Sequence, residues 1–222
     1  MNWAPFILTF QLALVATAIL LLVSLPLAYW LAYSRSRIKP IVESIVSLPL
    51  VLPPTVIGFY LLVAFSPNNA FGSWLDSLGL RLVFSFEGLV VGSLLYSLPF
   101  MVHPIQSGFG QLPRDLRDAA YVLGKSPIET FWKVLLPNIR RSVLTGVVLA
   151  FTHTVGEFGV VLMIGGNIPG ETRVASIAIF DEVEALNYGT ANSYSLVMVG
   201  LSFTILLAIY LLNGSKTKEV LP

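Results

Sequence analysis

The chain has 222 residues, of which 55% are hydrophobic and 11% charged, with a formal net charge of +1. An average soluble chain carries about 25% charged residues, so this composition excludes a soluble globular protein and indicates an all-α polytopic membrane protein. It reads as one membrane domain over residues 1–222. Cysteine is absent, which removes disulfides and any cysteine metal site, and no metal ligands are assigned.

Met1-Asn2-Trp3-Ala4-Pro5 has no basic n-region and no small-residue cleavage site, so the first apolar stretch is expected to be a retained span. Five stretches are long enough to cross about 30 Å of hydrocarbon, which needs roughly 20 residues as a helix. The first is expected at about residues 6–31, with a kink at Pro26. The second is expected at about 45–65, and Pro49, Pro53 and Pro54 in its middle remove backbone donors at membrane depth. Such irregular backbone is tolerated only where protein or a water-filled cavity satisfies the freed groups. The third covers about 89–108 and contains Pro99 and Pro104, the fourth about 143–164, and the fifth about 194–212. Between the last two, residues 167–188 are too polar to span, and Val174 to Phe180 suits a short re-entrant or interfacial helix.

Basic residues orient the spans. Arg35, Arg37 and Lys39 lie in the first connection, Arg114, Arg117, Lys125, Lys133, Arg140 and Arg141 in the third, and Lys216 and Lys218 in the tail. Only Arg81 and Arg173 fall in the second and fourth connections. The positive-inside rule then puts the N-terminus outside and the C-terminus in the cytoplasm.

The third connection, residues 110–137, is the longest polar segment and is punctuated as two helices. Leu112, Leu116, Ala119, Ala120 and Leu123 give the first an oily face. Gly124 suits the left-handed position that ends a helix. Ser126 is placed as the N-cap of the second, with Pro127 at its first position and Glu129 three residues on, a capping box. Ile128, Phe131, Trp132, Leu135 and Leu136 fall on one side of that helix, which is expected to stop at Pro137. A rigid helix pair of this kind either docks on another protein or lies on the lipid surface with Lys125 and Lys133 at anionic headgroups.

Asp118-Ala119-Ala120, three residues, Gly124, nine residues, then Val134-Leu135-Leu136-Pro137 resembles the EAA loop (E-A-A-x3-G-x9-I-x-L-P) of type I ABC importer permeases. Asp stands for Glu and Val for Ile. Leu48-Pro49-Leu50-Val51-Leu52-Pro53-Pro54-Thr55-Val56-Ile57-Gly58, Gly156-Glu157-Phe158-Gly159 and Asn167 to Arg173 are similar to the permease subunit of molybdate importers. Tungstate and sulfate permeases share the architecture. The resemblance implies a transmembrane core over residues 6–212. It also implies a second copy of the chain, two cytoplasmic ABC ATPases, and an extracytoplasmic binding protein that delivers molybdate or tungstate. Asp118, Ala119, Ala120, Gly124, Lys125, Ser126, Pro127 and Pro137 would then couple the spans to the ATPase. No cofactor and no nucleic acid are expected on this chain; ATP with magnesium belongs to the partner. Gly124-Lys125-Ser126 mimics the end of a phosphate-binding loop, but the glycine required five residues before Gly124 is Ala119 and no strand precedes it.

Pathway residues are less sharply marked. Glu157 in the fourth span costs roughly 2.5–3.5 kcal/mol against insertion, so it should face protein or water, as a gate residue or as a carboxyl tied to a neighbouring helix. A dianion about 6 Å from an ionised carboxylate is repelled by roughly 5 kcal/mol at an effective dielectric near 20, too much for a resting site. Thr152, His153 and Thr154 precede Glu157 by one turn; Thr152 is a further pore candidate, and His153 suits a packed histidine more than a ligand. Pro53, Pro54 and Thr55 are pore candidates because unwound backbone offers N–H groups without a fixed charge, the alternative being a kink that only serves packing. Arg173 is a candidate contact for the binding protein, or a side chain snorkelling at the headgroups. An intramembrane enzyme would use Glu157 and His153, but H-E-x-x-H and G-x-S-x-G are both absent. An uncoupled anion channel would place Arg or Lys within the spans, and none lies there.

Overall fold

The computed structural model describes residues 2–214, and Lys216 and Lys218 of the basic tail lie outside them. Among the described residues every regular element is helical. In order these are α1 (Ala4–Tyr33), α2 (Lys39–Ser47), a 3-10 turn (Leu48–Leu50), α3 (Pro54–Phe65), α4 (Ala70–Ser77) and α5 (Phe86–Gly110). There follow α6 (Arg114–Val122), α7 (Pro127–Thr130), a π turn (Phe131–Leu135), α8 (Leu136–Asn138) and α9 (Arg140–Val155). The chain closes with α10 (Gly159–Gly165), α11 (Ala175–Glu184) and α12 (Tyr188–Gly214).

Among the described residues three helices, α1, α5 and α12, are long and apolar enough to cross a membrane, and the number reaches five only if each of two bent pairs counts as one span. The expected second span is one of these. The prolines between Leu48 and Pro54 break it, so that α2 with its 3-10 turn meets α3 at 110°. The expected fourth span is interrupted at Gly156–Phe158, between α9 and α10. α1 continues through Pro26. The short helix foreseen from Val174 is α11, and α12 packs mainly on it.

α1, α5 and α9 form the centre of the bundle, with α10 and α3 wedged on α5. One core joins the C-terminal halves of α1 and α5 to the start of α9 through Leu25, Leu31, Met101, Ile105, Phe109 and Ile139. A second joins the other halves to α10 and α11 through Leu12, Leu89, Val161, Ile164 and Ile177. In lipid, helices gain little from burying apolar surface against one another, and close packing at small residues does the work instead.

Candidate functional site: a broken-helix crossing and a projecting hairpin

The two proline- and glycine-rich motifs meet. Pro53 caps α3 in an extended conformation (φ −55°, ψ 139°), and Pro54 occupies its first turn, where a missing N–H costs nothing. Pro54 rests on Gly159 at the start of α10, where a Cβ would lie only 2.6 Å from the Cβ of Pro54. One turn on, Gly58 of α3 faces Met163 and Val160 of α10 just as closely. Pro53 and Thr55 are exposed.

Glu157 lies at the break beside this crossing and is 6% exposed. Its Oε1 accepts a hydrogen bond from the backbone N–H of Val160 at 2.9 Å, and its carbonyl accepts one from Ser176 Oγ at 2.6 Å. The carboxyl therefore caps α10, and the neighbouring backbone ties the break to α11. The carboxyl thus turns to its own expected span and not to a neighbouring helix. Beside it runs a polar cluster with no sequence signature: Ser97 Oγ lies 2.9 Å from His153 Nδ1 and 2.9 Å from Thr154 Oγ1. Thr154 donates its only proton to the Ala150 carbonyl, so Ser97 donates to Thr154, and His153 Nδ1–H donates to Ser97. The imidazole is held against Phe100, ring centroids 4.0 Å apart, and Tyr96, at 4.9 Å. His103 likewise has a partner, Ser47 Oγ at 3.2 Å.

Two expected residues lie apart from the crossing. The Thr152 hydroxyl bonds back to the Val148 carbonyl and lines an apolar crevice with Phe10, Phe151 and Met198, because one residue along a helix turns the side chain by about 100°. Arg173 is held within its own chain: its Nη2 lies 3.0 Å from Asp181 Oδ2, and its Nε donates to Asn167 Oδ1 at 2.6 Å.

At the other end of the bundle the hairpin projects. α6 ends at Val122 with Leu123 as its C-cap, Gly124 is left-handed (φ 77°), and the Lys125 N–H reaches back to the Ala120 carbonyl at 3.0 Å, closing a Schellman turn. Ser126 Oγ accepts from the Glu129 N–H at 3.2 Å. The reciprocal half of the capping box is absent, because the Glu129 carboxylate turns to Lys133 at 2.7 Å and Lys125 at 3.9 Å. The hydrogen bond from Lys133, with the Lys125 charge adding to it, holds that carboxyl below its ordinary value. Ala120 is buried, whereas Asp118, Ala119, Lys125, Ser126, Pro127 and Pro137 are exposed. Val122 and Leu123 are 88% and 79% exposed at the tip, an apolar cap with nothing on it in this chain. The helix after Ser126 does not run regularly to Pro137. A π turn intervenes and directs Phe131 and Leu135 inward, while Ile128 and Trp132 remain exposed.

Residues 24–215 match the family model of the binding-protein-dependent transport system inner membrane component. The chain is 49% identical over 204 residues to the molybdenum transport system permease protein ModB of Azotobacter vinelandii, covering 91% of this chain and 90% of that one. A probable sulfate transport system permease protein cysT of Nephroselmis olivacea is 33% identical, over 97% of this chain and 76% of that one. Among solved structures, an inward-facing MetNI methionine ABC transporter matches with a TM-score of 0.73 over 92% of this chain and 91% of that chain, at 16% identity. The all-helical order, with its broken crossing and projecting hairpin, is the fold of a type I ABC importer permease. The chain belongs to the binding-protein-dependent transport system inner membrane components. It is thus a multi-pass inner membrane transport subunit.

Proposed function

We propose that two copies of this chain enclose the path along which molybdate, with tungstate or sulfate as the alternative cargo, enters the cell from an extracytoplasmic binding protein. The supporting observation is 49% identity to a molybdenum permease across nine-tenths of both chains, against 33% to a sulfate permease. The hairpin of residues 110–137 faces the cytoplasm and docks on an ABC ATPase, with the apolar tip Val122–Leu123 and the exposed Asp118, Lys125 and Ser126 as its contact. The N-terminus is outside and the C-terminus inside, in keeping with the basic residues of the hairpin. ATP is bound by the partner, not by this chain. Pro53, Pro54, Thr55 and Glu157 shape the gate, Glu157 by fixing the α9–α10 break rather than by holding the anion. Arg173 supports the outer loop through Asp181, and any contact with the binding protein is secondary to that.

The experiment is ATP hydrolysis by the chain assembled with its ATPase and binding protein, titrated with molybdate, tungstate and sulfate. Stimulation by molybdate with sulfate inert supports the assignment. Stimulation by sulfate alone retains the importer and replaces the cargo, and failure to assemble with any ATPase refutes the coupling role.

A further inference from the structure

The hairpin reaches the bundle through a small set of rings. Phe131, in the π turn, lies edge-on to Tyr29 of α1, with centroids 5.4 Å apart at 88°, and 5.9 Å from Phe109 of α5. Tyr29 is edge-on to Phe109 at 5.5 Å and to Tyr33 at 5.0 Å. The Tyr33 hydroxyl donates to the Phe109 carbonyl at 3.1 Å, which ties the end of α1 to the end of α5. From the other arm of the hairpin, the Arg117 guanidinium sits 5.0 Å over the Tyr33 ring. Both arms of the hairpin, through Arg117 and Phe131, thus contact the same cluster, which itself belongs to α1 and α5.

We propose that Tyr29, Tyr33, Phe109 and Phe131 form the joint that carries movement of the hairpin into α1 and α5, with Arg117 as its second point of attachment. This inference rests on the docking of the hairpin on an ATPase. Three physical features fit the role. Edge-to-face rings fix orientation as well as distance, so a rotation of Phe131 turns its neighbours instead of sliding past them. The Phe109 ring at the centre of the cluster is fully buried, and buried close-packed side chains pass displacement on with little compression. The π turn beneath Phe131 holds one more residue per turn than an α-helix, and such bulges concentrate at functional sites. Its return to α-helical winding swings the side chain around the helix, so Phe131 sits where a change of winding becomes a lateral push. Phe131, Tyr29, Tyr33, Phe109 and Arg117 are positioning residues and touch neither cargo nor nucleotide.

The test uses the whole importer in proteoliposomes, with molybdate as cargo, and reads anion moved per ATP hydrolysed beside co-elution of the ATPase. Phe131→Leu should co-elute normally and retain ATP hydrolysis within about twofold, while moving at least tenfold less anion per ATP. Tyr29→Phe and Phe131→Tyr, which keep the rings, should behave as the unaltered chain does. Arg117→Gln, on the exposed arm, should give a loss of about threefold in the same ratio and serves if Phe131→Leu does not fold. An unchanged ratio in both Phe131→Leu and Arg117→Gln overturns the joint, as does a proportional fall in uptake and hydrolysis, which would mark a structural role alone. Loss of ATPase co-elution in Phe131→Leu would assign that residue to docking and overturn the joint. If the unaltered chain itself fails to co-elute, the docking reading is what fails.

Discussion

Gly159→Ala isolates the contact that holds the two broken helices together. The added methyl would lie 2.6 Å from Pro54 Cβ and 3.4 Å from both Pro54 Cγ and the Thr55 nitrogen. Carbon atoms prefer separations of about 3.5–4.0 Å, so α3 and α10 must part by about 1 Å. A proline ring and backbone cannot rotate away as a long side chain would. Overpacking of this kind costs roughly 1–3 kcal/mol. At a central 2 kcal/mol the melting temperature should fall by roughly 4–8 °C for a chain of this size. Gly156→Ala, in the same four-residue motif, supplies the control. Its methyl would meet only the Thr152 and His153 carbonyls at 3.7 and 3.8 Å, and Gly156 has an ordinary φ of −86°. It should change stability by less than about 0.5 kcal/mol. Thermal unfolding of the purified importer, with uptake measured in parallel, separates the two. Equal melting temperatures and full uptake in both variants would refute the close crossing.

Gly124→Glu should abolish uptake while membrane insertion stays intact, since a side chain in the left-handed region costs roughly 1–2 kcal/mol and the charge falls beside the apolar tip. Normal uptake with normal ATPase assembly would remove the turn from coupling. Glu157→Gln keeps a carbonyl oxygen that can accept from Val160, so it should melt close to the unaltered chain, whereas Glu157→Ala should lose roughly 0.5–2 kcal/mol with the cap. A clean switch of anion preference in Glu157→Gln would show that the carboxyl meets the cargo. Ser126→Cys should cross-link to the ATPase and resist a membrane-impermeant thiol reagent added outside; labelling from outside would invert the topology.

The hairpin was legible because its signals are local. Gly124, Ser126 and Pro127 each state a backbone requirement that neighbouring residues satisfy, and the structure shows the turn and the cap where those rules put them. The π turn has no such signal, since it answers to the packing of Phe131 against α1 and α5, residues 22–102 positions away in the chain. Glu129 satisfied the capping-box pattern, yet two lysines one turn away on either side compete for its carboxylate and win. Three prolines announced irregular backbone near Pro53 but not a 110° bend, because proline specifies a missing donor and not the direction of the chain afterwards. Thr152 was grouped with Glu157 by proximity in sequence, and helical rotation separates them. Ser97 and His153 lie 56 positions apart and come together only through the packing of α5 on α9.

The pairing of Arg173 with Asp181 has an electrostatic consequence at the outer mouth. With the proposed orientation, the outward-facing segments hold six carboxylates, at Asp76, Glu87, Glu171, Asp181, Glu182 and Glu184, against Arg81 and Arg173 alone. Both cations are already engaged, Arg81 with Asp76 at 2.7 Å and Arg173 with Asp181 at 3.0 Å. Within the Debye length of about 8 Å at physiological salt, that surface repels dissolved dianions instead of concentrating them. In the proposed importer, free oxyanion, molybdate and sulfate alike, is thereby disfavoured at the entrance. With that orientation a negative threshold discriminates by mode of arrival: it disfavours an anion diffusing alone more than one enclosed by a carrier.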